Sequence, residues 1–298
     1  MATEQFRSGF IALIGRPNAG KSTLLNHLVG QKIAITSDKP QTTRTKILGV
    51  LTRADCQMIV LDTPGIHKPK DKLGEYMVKA AMNALDEVDV VYYLIDAIVP
   101  FGGGEAFILE RLKKVKTPVF LLLNKIDLME KPKLLPLIDY YRDKGDWRAI
   151  VPISALKGEN VEALLDSTRE CLPQGPLYYP DDAVTDQPER ILIAELVREK
   201  AVEVTREEVP HSLAVIVEQI QPRSEEFLDI SATIYVERES QKGILIGKKG
   251  EMLKLIGSRA RLDIERLLGN KVFLELWVKV KPDWRKRDDS LREFGYRE

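Results

Sequence analysis

The chain lacks several features that mark whole classes of protein. It has only two cysteines, Cys56 and Cys171, which lie far apart in the sequence. We therefore expect neither a disulfide framework nor a cysteine metal site, and this cysteine content fits a protein of a reducing compartment. Its three histidines show no metal-ligand spacing. Basic and acidic residues number 45 each, which excludes a global charge that would attract nucleic acid or membranes. No apolar run approaches the ~18 residues of a membrane span, so we expect a cytoplasmic location.

The first half of the chain contains short apolar runs that alternate with longer amphipathic stretches. Near-continuous apolar runs are typical of a parallel sheet that is covered by helices on both faces. We therefore predict a doubly wound α/β domain over residues 1–172. The predicted strands are residues 10–15, 58–62, 90–96, 119–124 and 149–154.

The second half begins with a linker. Residues 173–188 contain four prolines and show no helical or strand periodicity. The following segments have the order α-β-β-α-α-β, which predicts a smaller α+β domain over residues 189–298. The neutral total conceals an uneven charge there, because residues 238–287 hold 14 basic and 6 acidic residues. Basic density of this kind indicates contact with a phosphate backbone, although solvated helix faces also show it.

The segment GRPNAGKS follows a predicted strand and opens a predicted helix, as a phosphate-binding loop must. Its glycines let backbone N–H groups curl around phosphates, and the helix N-terminus adds positive potential. Lys21 would contact the β and γ phosphates, and the Ser22 hydroxyl would bind magnesium. The predicted contact residues of this loop are Gly15, Asn18, Ala19, Gly20, Lys21, Ser22 and Thr23.

Two further motifs follow predicted strands. DTPG places Asp62 where it can hold magnesium through water, and Gly65 where its N–H can meet the γ-phosphate. NKID selects the base, because the Asp127 carboxylate can accept from the ring N–H and the exocyclic amine of guanine, which adenine does not offer together. Asn124 would brace the neighbouring loops, and the stem of Lys125 would lie across the base.

Small residues after the last predicted strand complete the pocket, and they are Ser154, Ala155 and Leu156. The Ala155 N–H is expected to reach the guanine carbonyl. Together these motifs resemble the translation-factor-related class of GTPases over residues 8–172. The resemblance implies GTP or GDP and magnesium as ligands, and GTP hydrolysis as the activity. It also places the first switch at residues 40–44, where Thr43 would bind magnesium, sense the γ-phosphate and act in hydrolysis with Lys21 and Gly65.

Ile66 follows DTPG at the position where Ras-like GTPases carry a glutamine that orients the attacking water. An isoleucine side chain can neither donate nor accept a hydrogen bond. We therefore predict slow intrinsic hydrolysis, of the order of the ~10⁻⁴ per second of unassisted Ras.

The turn IGKKG between two predicted helices resembles the GxxG loop of a type II KH domain, whose glycines let the backbone press against about four nucleotides of single-stranded RNA. Its lysines would neutralise phosphates. The nearby apolar residues would form either the floor under the bases or part of the core. The predicted RNA contacts are Ile244, Ile246, Gly247, Lys248, Lys249, Gly250 and Leu253. Trp284, in a basic segment, is a candidate base platform, although tryptophans more often pack in a core.

A GTPase domain that is paired with a KH domain resembles the Era family, and the resemblance spans the whole chain. It implies a monomer that binds the 3′ end of small-subunit ribosomal RNA and assists assembly of the small ribosomal subunit. It further implies peripheral contact with the inner face of the cell membrane, although the sequence carries no anchor. Two alternatives stay open: an RNA-binding or chaperone module whose GTPase domain is mainly a docking surface, and an ATP-dependent kinase, which would have no use for Asp127.

Overall fold

The computed structural model describes residues 6–39 and 41–296, so Pro40 of the predicted first switch lies outside the described residues. The chain forms two compact units. Unit 1 contains the described parts of Met1–Ala34, Thr43–Pro69 and Gly74–Asp186. Unit 2 contains those of Ile35–Thr42, Lys70–Leu73 and Gln187–Glu298. The main boundary follows Asp186, inside the predicted linker, and the predicted domain limits at 172 and 189 stay predictions.

Unit 1 is built on a six-stranded sheet with the order β2-β3-β1-β4-β5-β6. All neighbouring strands are parallel except β2, which pairs antiparallel with β3. Its strands are β1 (Arg7–Gly15), β2 (Ile47–Thr52), β3 (Cys56–Asp62), β4 (Val90–Asp96), β5 (Val119–Asn124) and β6 (Ala149–Ile153). β2 was not among the predicted strands, although its apolar run precedes a short polar turn and forms a hairpin with β3, which is a recognisable pattern.

Helices cover both faces of this sheet. They are α1 (Lys21–Val29), α2 (Lys72–Asn83), α3 (Gly103–Leu112), α4 (Leu134–Arg142) and α5 (Val161–Arg169). Successive side chains of a strand point to opposite faces. Tyr93 accordingly packs in an apolar cluster with Ala81 of α2 and Ile108 of α3, whereas the Tyr92 hydroxyl bonds to Thr168 of α5. The doubly wound fold is confirmed.

The sheet also positions the motifs. In an open α/β sheet, ligands bind beyond the carboxyl ends of the parallel strands. The phosphate-loop segment follows β1, Asp62 ends β3, and Asn124 ends β5. Asp96 at the end of β4 lies opposite Asn124 in the register of the sheet. Residues that are distant in the chain therefore meet at one edge.

Unit 2 has a three-stranded sheet of order β7-β8-β9, in which β7 is antiparallel and β9 parallel to β8. Its elements are α6 (Glu189–Val204), α7 (Val209–Ser212), β7 (Ala214–Ser224), β8 (Phe227–Val236), α8 (Glu239–Ile246), α9 (Glu251–Leu268), β9 (Lys271–Val280) and α10 (Asp288–Glu293). The order predicted from the sequence is confirmed, with the short helices α7 and α10 added. Val197 of α6, Ile234 of β8 and Ile256 of α9 meet in the core.

Within the described part of the chain, every helix is too short or too polar to cross a lipid bilayer.

Candidate functional site

The phosphate-loop segment makes a tight approach to the end of β5 at Gly20. Gly20 has φ +94°, and a Cβ atom there would lie 2.1 Å from Nδ2 of Asn124. An L-residue side chain is therefore excluded twice, by backbone conformation and by space. Gly20 caps α1, so the unpaired N–H groups of the first turn of this helix are available to an anion.

Lys21 is buried and folds back over the loop. Its ammonium group donates to the carbonyl oxygens of Gly15, over 3.3 Å, and Arg16, over 3.0 Å. Burial lowers the pKa of Lys21 to about 8, and the Asp62 carboxylate opposes that shift. The hydrogen-bond partners of this buried ammonium among the described residues are carbonyl oxygens, so it gains from an incoming phosphate and is suited to bind one.

Three oxygen-bearing side chains converge beside Lys21. The Ser22 hydroxyl donates to Asp62 Oδ2 over 2.6 Å and lies 2.8 Å from Thr43 Oγ1. Thr43 Oγ1 in turn lies 3.3 Å from Asp62 Oδ2. The predicted magnesium residues are thus brought together from the start of α1, the first switch and the end of β3.

This oxygen cluster fits magnesium, which prefers hard oxygen ligands. Asp62 Oδ1 is buried and has no hydrogen-bond partner among the described residues, as expected of an atom that faces a cation or its water. Burial raises the pKa of Asp62 to about 6, while Lys21 and the two hydroxyls act in the opposite direction. A cation would restore the ionised form.

The described residues contain no group of three or more histidine, cysteine, aspartate or glutamate side chains that could hold a metal.

Gly65 and Ile66 lie beside the phosphate loop. The Ile66 N–H donates to the Gly15 carbonyl over 3.0 Å, which ties the DTPG turn to the end of β1. The Ile66 side chain is 1% exposed and packs in the cluster with Ile14 and Tyr93. The sequence predicted that Ile66 offers no hydrogen-bonding group to the attacking water, and the structure adds that its side chain lies in the core.

Asn124 braces the loops of the base site as predicted. Its Nδ2 donates to the Ala19 carbonyl over 2.8 Å, and its Oδ1 accepts from the Ala155 N–H over 2.9 Å. The Ala155 N–H was also expected to face the guanine carbonyl, and that contact stays a prediction. That donor is already engaged, so a guanine carbonyl must share it or use another N–H.

The base-selecting carboxylate is held in place by a hydroxyl. Ser154 Oγ donates to Asp127 Oδ1 over 2.7 Å, while Asp127 itself is exposed and open to a ligand. Lys125 adopts φ +69° and its ammonium pairs with Asp96 over 2.6 Å. This ion pair fixes the lysine stem. Asp96 was not among the predicted site residues, although it directly ends a predicted strand. Leu156 is 70% exposed, as befits a residue at the rim.

The GKKG turn of unit 2 joins α8 to α9. Gly247 has φ +71°, and a Cβ atom there would lie 2.7 Å from Cβ of Met252, so glycine is required. Lys248 and Lys249 are both exposed at the tip of the turn. Gly250 begins α9, whose N-terminal N–H groups add positive potential near the lysines.

A groove of about 400 Å³ runs from this turn between α9 and β9. Leu253 lines it, while Ile246 packs against the core and Ile244 is 50% exposed outside the core. Lys254 and Arg261 also line the groove, and the sequence analysis missed both. Their signal was the helical spacing from Gly250, which puts Gly250, Lys254 and Arg261 on one face of α9.

Trp284 is not a base platform. It is fully buried, its indole N–H donates to the Ser212 carbonyl over 2.9 Å, and its ring packs against Phe294 and Tyr296. The basic residues around it suggested a contact surface, but an indole ring gains more from burial than its charged neighbours do. Trp277 is the exposed tryptophan of this unit, at 56%.

Comparison with known proteins agrees with this geometry. A family model described as "50S ribosome-binding GTPase" matches residues 10–125, and a KH domain model matches residues 208–285. A crystal structure of Era in complex with MgGDPNP and nucleotides 1506-1542 of 16S ribosomal RNA is 46% identical, with a TM-score of 0.95, over 98% of this chain and 100% of that chain. The chain belongs to the Era family of GTPases. A variant of Era from Aquifex aeolicus bound to GDP.AlF4- is also 46% identical, with a TM-score of 0.94 and the same coverage.

Membership in the Era family confirms the fold class, a doubly wound GTPase domain followed by a KH domain. Both Era structures contain a guanine nucleotide or its analogue, and one contains ribosomal RNA. The individual site residues are supported here by their geometry in this chain.

Proposed function

We propose that this chain is a GTP-hydrolysing switch that binds the 3′ region of small-subunit ribosomal RNA and assists assembly of the small ribosomal subunit. One observation carries the proposal. A single chain holds the Ser22–Thr43–Asp62 oxygen cluster and the GKKG turn, and 98% of it aligns with an Era that binds both MgGDPNP and 16S ribosomal RNA.

The residues of unit 1 divide the work of binding GTP. Lys21 places its charge at the β and γ phosphates, and the first N–H groups of α1 add hydrogen bonds. Ser22 and Thr43 would supply hydroxyl ligands for magnesium, and Asp62 would hold it through water. Magnesium, when bound, neutralises charge on the phosphate oxygens. Asp127 selects guanine because its carboxylate accepts from both donors of that base.

Hydrolysis in this site is slow for a structural reason. The Ile66 side chain lies in the core, so the residue after DTPG offers no group to orient the attacking water. The chain therefore acts as a timed switch whose activator supplies what Ile66 lacks.

The RNA half of the proposal rests on unit 2. Exposed Lys248 and Lys249 meet the backbone of a single strand, and Gly247 lets the turn approach it closely. The bases then enter the groove between α9 and β9, where Leu253 is apolar and Arg261 is basic. Such a strand gains from charge on its phosphates and from apolar contact with its bases.

The decisive measurement compares RNA affinity in two nucleotide states. An RNA with the sequence of nucleotides 1506-1542 of 16S ribosomal RNA is titrated with the chain loaded with a non-hydrolysable GTP analogue or with GDP. We expect tighter binding in the GTP-analogue state. Equal affinity in both states would favour the alternative, an RNA module whose GTPase domain is mainly a docking surface.

A variant tests the GKKG turn itself. Replacing Lys248 and Lys249 by alanine removes two phosphate contacts, so the slope of log affinity against log salt is expected to fall by about 1.4, at ~0.7 per contact. Lys286→Ala is the matched control, because Lys286 is an exposed lysine of the same unit away from the turn. An unchanged slope in the double variant would contradict the assignment.

For location and assembly state we propose a cytoplasmic monomer that makes peripheral contact with the inner face of the cell membrane. Free Cys56 and Cys171 support a reducing compartment. Membrane contact is tested by flotation of the purified chain with anionic vesicles, and the assembly state by light scattering. Failure to float would leave the cytoplasm as the sole location.

A further inference from the structure

Three residues of the segment Ile35–Thr42, which belongs to unit 2, are anchored to α6 of the same unit. The Thr36 N–H donates to Glu199 Oε1 over 2.9 Å. The Lys39 ammonium donates to the carbonyls of Val202 and Thr205, at the C-terminal end of α6. A cation at that end also complements the helix dipole. The segment that leads into the first switch is therefore held along one helix.

The third anchor is Arg198. Its Nη2 donates to the Thr42 carbonyl, and Arg198 is 1% exposed. Glu195, one turn earlier on α6, accepts from Nε over 2.8 Å and from Nη2 over 2.5 Å. This bidentate pair fixes the plane of the guanidinium group, so its direction toward Thr42 is set before any ligand binds.

The bond from Arg198 acts on the peptide that enters Thr43. The Thr42 carbonyl and the Thr43 N–H belong to one planar peptide unit, so holding the first orients the second. Thr43 Oγ1 lies 2.8 Å from Ser22 Oγ and 3.3 Å from Asp62 Oδ2. A threonine that must meet magnesium needs such a fixed backbone, because loss of order in this segment withdraws the hydroxyl.

We propose that Arg198 is a positioning residue for GTP: it holds the Thr42 carbonyl so that Thr43 meets magnesium and the γ-phosphate. This role rests on the proposed GTPase function and adds a residue that lies far outside the nucleotide motifs. The neighbouring Val197 is fully buried in the core of unit 2, so the anchor is as rigid as that core.

The test compares two variants that differ in this one contact. Glu195→Gln removes the negative charge but keeps a side-chain oxygen that can accept from Arg198, so the bond from Arg198 to Thr42 is expected to remain. The double variant Glu195→Gln with Arg198→Met removes the bond and leaves no unpaired buried charge. Affinities for a non-hydrolysable GTP analogue and for GDP, the magnesium concentration that half-saturates GTP-analogue binding, and the single-turnover hydrolysis rate are measured for each.

We expect the double variant to bind the GTP analogue about tenfold more weakly than Glu195→Gln, to need more magnesium and to hydrolyse GTP about tenfold more slowly, since one hydrogen bond to a charged group is lost. Its GDP affinity should stay within about twofold, because GDP has no γ-phosphate for Thr43 to sense. An unchanged ratio of GTP-analogue to GDP affinity would overturn the role of Arg198.

Val197→Ala separates positioning from stability. It removes buried methyl groups from the same helix without touching the segment, so it should lower the melting temperature and leave the affinity ratio unchanged. The same change of ratio in Val197→Ala would overturn the proposal.

If the double variant does not fold, Arg198→Lys takes its place. We expect this variant to lose affinity for the GTP analogue selectively, but by a smaller factor, and no selective loss would overturn the role of Arg198. Failure of the unaltered chain to bind GTP would instead overturn the proposed function.

Discussion

The Ser22 hydroxyl donates to Asp62 Oδ2 over 2.6 Å and so joins the first turn of α1 to the end of β3. Both residues are predicted magnesium ligands that lie 40 positions apart in the chain. Their contact holds one carboxylate oxygen, while Oδ1 has no hydrogen-bond partner among the described residues. The protonation state of this carboxylate should therefore govern how the site meets a cation.

Magnesium affinity should fall at acid pH. Burial raises the pKa of Asp62 to about 6 from the ordinary value of 3.8. A raised pKa means that the folded, metal-free chain favours the protonated carboxyl of Asp62. The contribution of this preference to the free energy of unfolding is fully present below the unfolded-state pKa and is lost as pH rises through about 6. Magnesium needs the ionised form, so its affinity should drop ~tenfold per pH unit below about 6. A fluorescent GTP analogue titrated with magnesium across this range measures the effect.

Asp62→Asn is the control for that experiment, because it cannot ionise. We expect its magnesium affinity to be weak and to change less with pH across the same range, since only the nucleotide phosphates still titrate there. A magnesium affinity of the unaltered chain that does not change as pH falls through about 6 would show that Asp62 does not titrate as described.

Asp127→Asn should change which base the chain accepts. The carboxylate accepts from two donors of guanine, and Ser154 Oγ holds it over 2.7 Å. An amide presents one donor to the exocyclic amine of guanine, so GTP affinity should fall about 100-fold or more. Xanthine carries a carbonyl in place of that amine, so affinity for xanthosine triphosphate should rise. Competition binding of the two nucleotides is the measurement, and parallel losses for both would contradict the role of Asp127.

Ile66→Gln should not restore fast hydrolysis. Ile66 is 1% exposed in the apolar cluster, so a glutamine there buries an unpaired amide at a cost of about 1–3 kcal/mol. We expect a lower melting temperature and a single-turnover rate within about threefold of the unaltered chain, which itself should stay far below about one per second. A tenfold or greater acceleration would mean that residue 66 does reach the attacking water.

Replacing Trp284 should destabilise the folded chain more than replacing Trp277. Trp284→Ala removes a fully buried ring and its hydrogen bond, and should lower the free energy of unfolding by about 3–5 kcal/mol. Trp277→Ala alters a side chain that is 56% exposed, and should cost less than about 0.5 kcal/mol. Urea unfolding of both variants measures the difference. Similar losses would show that Trp284 is not the core residue that the structure describes.

The sequence alone determined the nucleotide chemistry and the type of RNA module. The residues Lys21, Ser22 and Asp127 lie in short motifs at the ends of apolar strands, and parallel strands bring their carboxyl ends to one edge whatever the rest of the chain does. The GKKG turn was recognisable for the same reason, because its function requires glycines at fixed positions between two helices. Chemistry of this kind depends on residues that are close together in the chain, so the sequence alone predicts it.

Only the tertiary structure decided which side chains face the ligand and which face the core. Ile66 and Trp284 both have neighbours in sequence that suggest a functional surface, and both are buried. The Ala155 N–H is engaged by Asn124, and the Thr42 carbonyl by Arg198, across separations in the chain that no periodicity reports. Burial and long-range hydrogen bonds depend on how distant elements pack, and that packing minimises the free energy of the whole fold.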